Sequence, residues 1–104
     1  MEVQFIDEKL ERFINELQPF SVAKVFRTID LLEKFSYHLG MPHSKKIDDK
    51  LFELRVRGQQ EIRIFYTFRN DAAVLLHGFI KKSQKTPVKE LYAARQKLLS
   101  LDTI

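Results

Sequence analysis

The chain has 104 residues, 44% hydrophobic and 31% charged, which suits one soluble domain over 1–104 with a modest core and leaves no room for a second. It has no cysteine, which excludes disulfides and thiolate metal sites, and no apolar run near the about 18 residues that suggest a membrane span. The formal net charge of +4 is unevenly placed: from Arg55 to Lys97 ten basic residues stand against three acidic ones, so the second half is suited to meet an anion.

Residues 2–6, EVQFI, are expected to form a short strand. The start MEVQFIDEKL is acidic and amphipathic, without the basic-then-apolar order of a secretory signal, and the expected location is the cytoplasm. Leu10, Phe13, Ile14 and Leu17 recur at the spacing of one helical face, and Pro19 stops that helix. A second helix is expected from about 20 to 38 on the stripe Val22, Val25, Phe26, Ile29, Leu32 and Phe35, closed by Gly40, Met41 and Pro42. PHSKKIDDK reads as a polar connector. Three strand-like runs follow, at about 50–57, 61–69 and 72–81, with Asn70 and Asp71 in a tight turn because both tolerate positive φ. The third run, AAVLLHGFI, is apolar on both faces, as in a central strand. A final helix has Thr86 as N-cap, Pro87 at its first position and Leu91, Ala94 and Leu98 on its stripe.

The stretch ELRVRGQQEIRIFY, residues 53–66, raises an electrostatic question. If Leu54 and Val56 share a core face with Ile62 and Ile64, the register sets Val56 opposite Ile62, Leu54 opposite Ile64, Arg57 opposite Glu61 and Arg55 opposite Arg63. Two such charges about 5 Å apart repel by about 3 kcal/mol at an effective dielectric near 20. Continuing the pairing through a two-residue turn places Arg63 opposite Gly78, Ile62 opposite Phe79 and Ile64 opposite His77. A glycine beside two arginines, with Lys82 further along the same side, makes a shallow cationic cup, for which phosphate is the natural ligand. In the competing arrangement Arg55 splays to solvent and Arg63 pairs with Glu53 or Glu61.

Phe65 shares the polar face with Arg63, where it either stacks on a nucleobase or packs under the last helix. Tyr66 and His77 fall by alternation on the core side, which makes His77 a hydrogen-bonded core residue before it is a general base. His38 and His43 lack a third ligand at metal-binding spacing. The sequence has no glycine-rich phosphate loop, serine triad or paired carboxylate site.

LFELRVRG, IRIFYTF and VLLHGFIKKSQKTP followed by an amphipathic helix together resemble the HigB-type, phage-derived branch of the RelE/ParE toxin superfamily. The resemblance is close over about 51–98, and its visible departure is Ser83 where threonine is usual. It implies an α+β, RelE-like fold with two N-terminal helices packed on a twisted antiparallel sheet and a C-terminal helix. It further implies a toxin of a type II toxin-antitoxin system that enters the ribosomal A site and cuts messenger RNA, without cofactor or metal and without a membrane. A helix-turn-helix antitoxin of the HigA type is the expected partner.

Carried over by position, Arg55, Arg63 and Lys82 are the expected catalytic residues, and Arg57, Phe65, Lys81 and Lys85 the expected RNA contacts. The arginines would clamp the scissile phosphate while Lys81 or Lys82 stabilises the leaving oxygen or donates its proton. RelE's C-terminal tyrosine has no motif-fixed counterpart; Tyr92 lies in the region, and helix packing explains it equally well. The rival readings are a ParE-like gyrase inhibitor, which needs no phosphate cup, and a non-catalytic RNA-binding or ribosome-binding module.

Overall fold

The computed structural model describes residues 1–102. Its sheet contains β1 (Glu2–Phe5), β2 (Ser44–Lys46), β3 (Phe52–Val56), β4 (Ile62–Arg69) and β5 (Ala72–Ile80) in the order β1-β5-β4-β3-β2. Three α-helices accompany it among the described residues: α1 (Glu8–Asn15), α2 (Pro19–Phe35), which runs into a 3-10 turn at Ser36–His38, and α3 (Val88–Ser100). The fold is α+β. No helix among the described residues is long and apolar enough to cross a membrane.

Two details correct the expected layout. The sheet is mixed, because β1 lies parallel to β5 with Glu2 beside Ala72 and Phe5 beside Leu75. The expected polar connector also contains β2, a three-residue edge strand antiparallel to β3. Its Ser44 is buried, and the Ser44 Oγ and Tyr66 Oη lie 2.5 Å apart. Burial raises the Tyr66 pKa above its ordinary value, because an ionised phenol is poorly solvated there.

Both faces of the central strands are covered. On one, Leu10 and Ile14 of α1 and Val25, Ile29 and Leu32 of α2 meet Leu54, Val56, Ile62, Ile64, Tyr66 and Leu75. On the other, Leu51, Phe65, Val74, Leu76 and Phe79 pack beneath Ala94 of α3, with Leu91 and Leu98 alongside. The turn at Asn70 and Asp71 has the expected positive φ values, 51° and 60°, the backbone that matches hairpin twist.

Beyond that turn the pairing slips. Tyr66 pairs with Leu75 but Phe65 pairs with His77, so Leu76 is an extra residue and β5 bulges. Downstream, Arg63 faces Phe79 and Ile64 faces Gly78, one residue away from the expected pairs. Gly78 therefore belongs to the α1 side, where an added Cβ would sit 2.8 Å from Phe13 Cε2. A glycine is needed at that point for a ring of α1 to approach the strand.

The helix ends also differ in detail. Thr86 does not cap α3; Pro87 occupies the cap position and offers no side-chain acceptor. Pro19 ends no helix but opens α2, where its missing N–H costs nothing. Asp7 caps α1 by accepting from the Leu10 amide at 3.0 Å, and its other oxygen takes Lys97 Nζ of α3 at 2.5 Å. Arg95 of α3 reaches Asp48 at 2.7 Å.

Asp7 thus links helices on opposite faces of the sheet. The Lys97 hydrogen bond, helped by the Leu10 amide, holds its carboxyl below the usual carboxylate range despite some burial. Because the folded form binds its proton less readily than the unfolded chain, this contribution is complete above the ordinary value of 3.8 and fades as pH falls through the lowered one. Asp7→Ala is expected to cost about 1 kcal/mol, the usual loss of a helix cap. Urea denaturation should show the deficit at neutral pH and a narrowed gap from the parent in acid.

Candidate nucleic-acid interface

The first hairpin has the expected register: Val56 faces Ile62, Leu54 faces Ile64 and Arg55 faces Arg63. The two arginines are not left to repel each other. Glu53, two residues before Arg55 and on the same face, is 3% exposed and lies between them. Arg55 Nε donates to Glu53 Oε1 at 3.0 Å, and Arg63 Nε lies 3.8 Å from the same oxygen without a hydrogen-bond partner among the described residues. Arg63 Nη1 donates to Glu61 Oε2 at 3.2 Å and to the Ile62 carbonyl at 3.4 Å.

The energetics follow from this geometry. At an effective dielectric near 20, unit charges about 4 Å apart attract by about 4 kcal/mol, whereas like charges about 5 Å apart repel by about 3. One shared carboxylate therefore outweighs the repulsion. This overturns the idea that only an outside anion reconciles Arg55 with Arg63, and it realises the pairing of Arg63 with both Glu53 and Glu61.

The cationic depression is nevertheless present, with a different membership. A shallow hollow of about 370 Å³ at the end of the sheet is lined by Arg57, Arg63, Lys81 and Lys82, with Glu61, Ser83 and Gln84. Gly78 is not part of it, because the bulge turns that residue toward α1. Arg63 supplies the floor and is 4% exposed. Arg57 stands at the rim with Nε 4.0 Å from Glu61 Oε2. The Lys81 amide donates to the Glu61 carbonyl, and its Nζ donates to the Gln84 carbonyl at 2.7 Å. Lys82 is exposed and makes no ion pair or hydrogen bond among the described residues.

Other expected site residues fall elsewhere. Arg55 does not line this hollow; it borders a neighbouring cleft, and its Nη1 lies 3.9 Å from Met41 Sδ. Lys85 is exposed in the segment after β5, where its carbonyl accepts from Ser83 Oγ. Phe65 is fully buried and stacked on Phe79 below α3, so no ring face is left for a nucleobase and its RNA-stacking role is withdrawn.

The same bulge moves His77 off the Leu75 face to the α3 side, where Nε2 lies 2.8 Å from Glu90 Oε1. Tyr92 is 64% exposed, so helix packing does not account for it. The described residues contain no group of three potential metal ligands. The competing arrangement paired Arg63 with Glu53 or Glu61; what sequence reasoning missed is that Glu53 serves Arg55 and Arg63 at once. The signal was available in the alternation, which puts residue 53 diagonal to residue 63 on one face.

With this geometry in view, the chain belongs to the phage-derived Gp49-like proteins (DUF891), whose family model matches residues 12–99. That family is associated with toxin-antitoxin toxins of the RelE/ParE-like type. No curated protein matches the chain.

Removing the carboxylate from the buried cluster should be costly. Glu53→Gln leaves Arg55 without its counter-charge and Arg63 with Glu61 alone, and is expected to destabilise by about 3 kcal/mol. Arg57→Ala, which loses an exposed pair, should shift stability by less than about 1 kcal/mol. Equilibrium denaturation of the two variants checks the contrast.

Proposed function

We propose that the protein is a HigB-type toxin of a type II toxin-antitoxin system, acting as a ribosome-dependent messenger-RNA endoribonuclease that inhibits translation. The observation that carries this reading is the hollow at the end of the sheet, where Arg57, Arg63, Lys81 and Lys82 share one surface with a single carboxylate, Glu61. Membership of a family associated with RelE/ParE-like toxins supports it. The site of action is the ribosomal A site in the cytoplasm, and the silencing partner is a HigA-like helix-turn-helix antitoxin.

In the proposed reaction a ribose 2′-hydroxyl loses its proton and its oxygen bonds to the adjacent phosphorus. The bond to the 5′-oxygen breaks, leaving a cyclic phosphate and, once that oxygen is protonated, a 5′-hydroxyl end. Negative charge grows on the phosphoryl oxygens, and fixed cations aimed there lower the barrier. Arg63 is assigned to the phosphoryl oxygens and Lys82 to the leaving oxygen, with Arg55 bracing the cluster from behind through Glu53. Arg57, Lys81 and Lys85 hold the flanking backbone.

Glu61 has to yield in this scheme, since its carboxylate occupies the donor that a phosphate would take from Arg63. Its side chain is 40% exposed, whereas that of Glu53 is 4% exposed, so Glu61 is the one that can leave for water.

Lys82→Ala is the clean test, because the exposed side chain makes no hydrogen bond or ion pair among the described residues whose loss would affect folding. It is expected to lower cleavage by about 10² to 10³, the usual cost of one transition-state donor, with an unchanged melting temperature. Mapping new 5′ ends on messenger RNA after brief expression reads the outcome. Undiminished cuts by the variant remove Lys82 from the mechanism; in the parent protein, supercoiling defects without cuts replace the nuclease with gyrase inhibition, and neither effect leaves a non-catalytic binding module. Arg63→Ala is less informative, since Arg63 is enclosed by two carboxylates and its loss unbalances the core. Glu61→Gln should tighten RNA binding about two- to fivefold, the equivalent of freeing an exposed ion pair, which a binding titration measures.

A further inference from the structure

Beside the hollow lies a second basic concavity, between α2 and β3. It has a volume of about 210 Å³ and is lined by Lys24, Arg27, His43, Arg55 and Arg57 over an apolar floor that includes Leu31 and Val56. No carboxylate lines it among the described residues. Lys24 and Arg27 face the cleft because residues 24, 27, 28 and 31 fall on one side of a helix. The Arg27 side chain makes no hydrogen bond or ion pair among the described residues, and Lys24 Nζ donates to the Arg57 carbonyl at 3.0 Å. Arg57 lines both concavities, so the cations run without a break from α2 around the hairpin to the segment after β5.

We infer that the cleft between α2 and β3 is a second RNA subsite, in which Lys24, Arg27, Arg55 and Arg57 hold a backbone phosphate adjoining the one in the hollow. This rests on the RNA reading given under Proposed function and adds α2 to the surface that reading uses. A nucleotide matches the cleft in both its parts, with phosphate at the cationic rim and sugar or base against the apolar floor. The rim neutralises phosphate through paired donors. An acidic protein helix fits less well, since with its side chains it is about 10 to 12 Å across. One strand with regularly spaced anions also satisfies both concavities at once, which accounts for their junction at Arg57.

The test is fluorescence anisotropy with a labelled single-stranded RNA of about 16 nucleotides, titrated between about 50 and 200 mM salt. Arg27→Ala should weaken binding severalfold at the lower salt and reduce the slope of log K against log salt by up to about 0.7, the share of one phosphate contact on a single strand. Arg27→Lys should restore most of both. Lys34→Ala removes the same charge from the same helix outside the cleft, and should change neither. Thermal melting confirms that all three variants are folded.

If Arg27→Ala and Lys34→Ala behave alike, the subsite is overturned while RNA binding stands. If Arg27→Ala leaves RNA binding intact but weakens binding of polyglutamate, the cleft serves an acidic protein segment and the inference is overturned. Binding that depends on Arg27, in a protein whose brief expression in cells produces no new 5′ ends on messenger RNA, supports the subsite and removes the nuclease. A parent protein that binds no RNA overturns the subsite, and new 5′ ends on messenger RNA in cells then decide whether the nuclease stands.

Discussion

Strands β4 and β5 are covered on both faces, and that constraint decides where each charged group of the sheet can go. α1 and α2 seal one side and α3 the other. A charged side chain on these strands must reach water at a strand end or find a partner inside, because an unpaired buried charge is too costly to keep. Lys81 and Lys82 take the first course, just past the end of β5. Arg63 takes the second, with a carboxylate on each side. The cationic surface therefore gathers at one end of the sheet because the middle cannot hold it.

How much of this was legible from residue order depends on where the chain alternates. The first hairpin was readable because Leu54, Val56, Ile62 and Ile64 mark one face and charged residues the other, so a slip by one would expose the core. The turn at Asn70 and Asp71 was readable from its chemistry. The bulge at Leu76 was not, since AAVLLHGFI is apolar on both faces and a one-residue slip there leaves no mark in the pattern. From that omission follow the misplaced Gly78, the misplaced His77 and the cup drawn around a glycine.

The remaining differences arise from long-range contacts. EVQFI was readable as a strand, but its partner across 70 residues of chain was not, and a parallel pairing there turns an antiparallel sheet into a mixed one. β2 consists of SKK, which has no apolar signal of its own and is a strand because it lies along β3. Glu53 was visible in the same alternation that set Arg55 opposite Arg63. Considering only straight-across pairs left it as one option for Arg63 and hid its sharing with Arg55, although diagonal neighbours on a sheet are within reach of long side chains.

The two carboxylates beside the arginines differ in a way that matters to any anion arriving there. Glu53 is enclosed with its cations, so separating it would leave charge stranded in a region of low polarity, and it is held as part of the core. Glu61 lies at the mouth, where water can receive its charge once the pairing with Arg63 and Arg57 is broken. An incoming phosphate thus exchanges one anion for another at Arg63 and needs no newly exposed cation. The net gain is the difference between two similar interactions, so a single phosphate at Arg63 binds weakly. Tight binding must then draw on cations with no internal partner to displace. Of those lining the two concavities, Lys82 on one side of Arg57 and Arg27 on the other have none among the described residues. On this reckoning a backbone that spans several cations is favoured over a lone anion, and the internal carboxylates act as the filter between them.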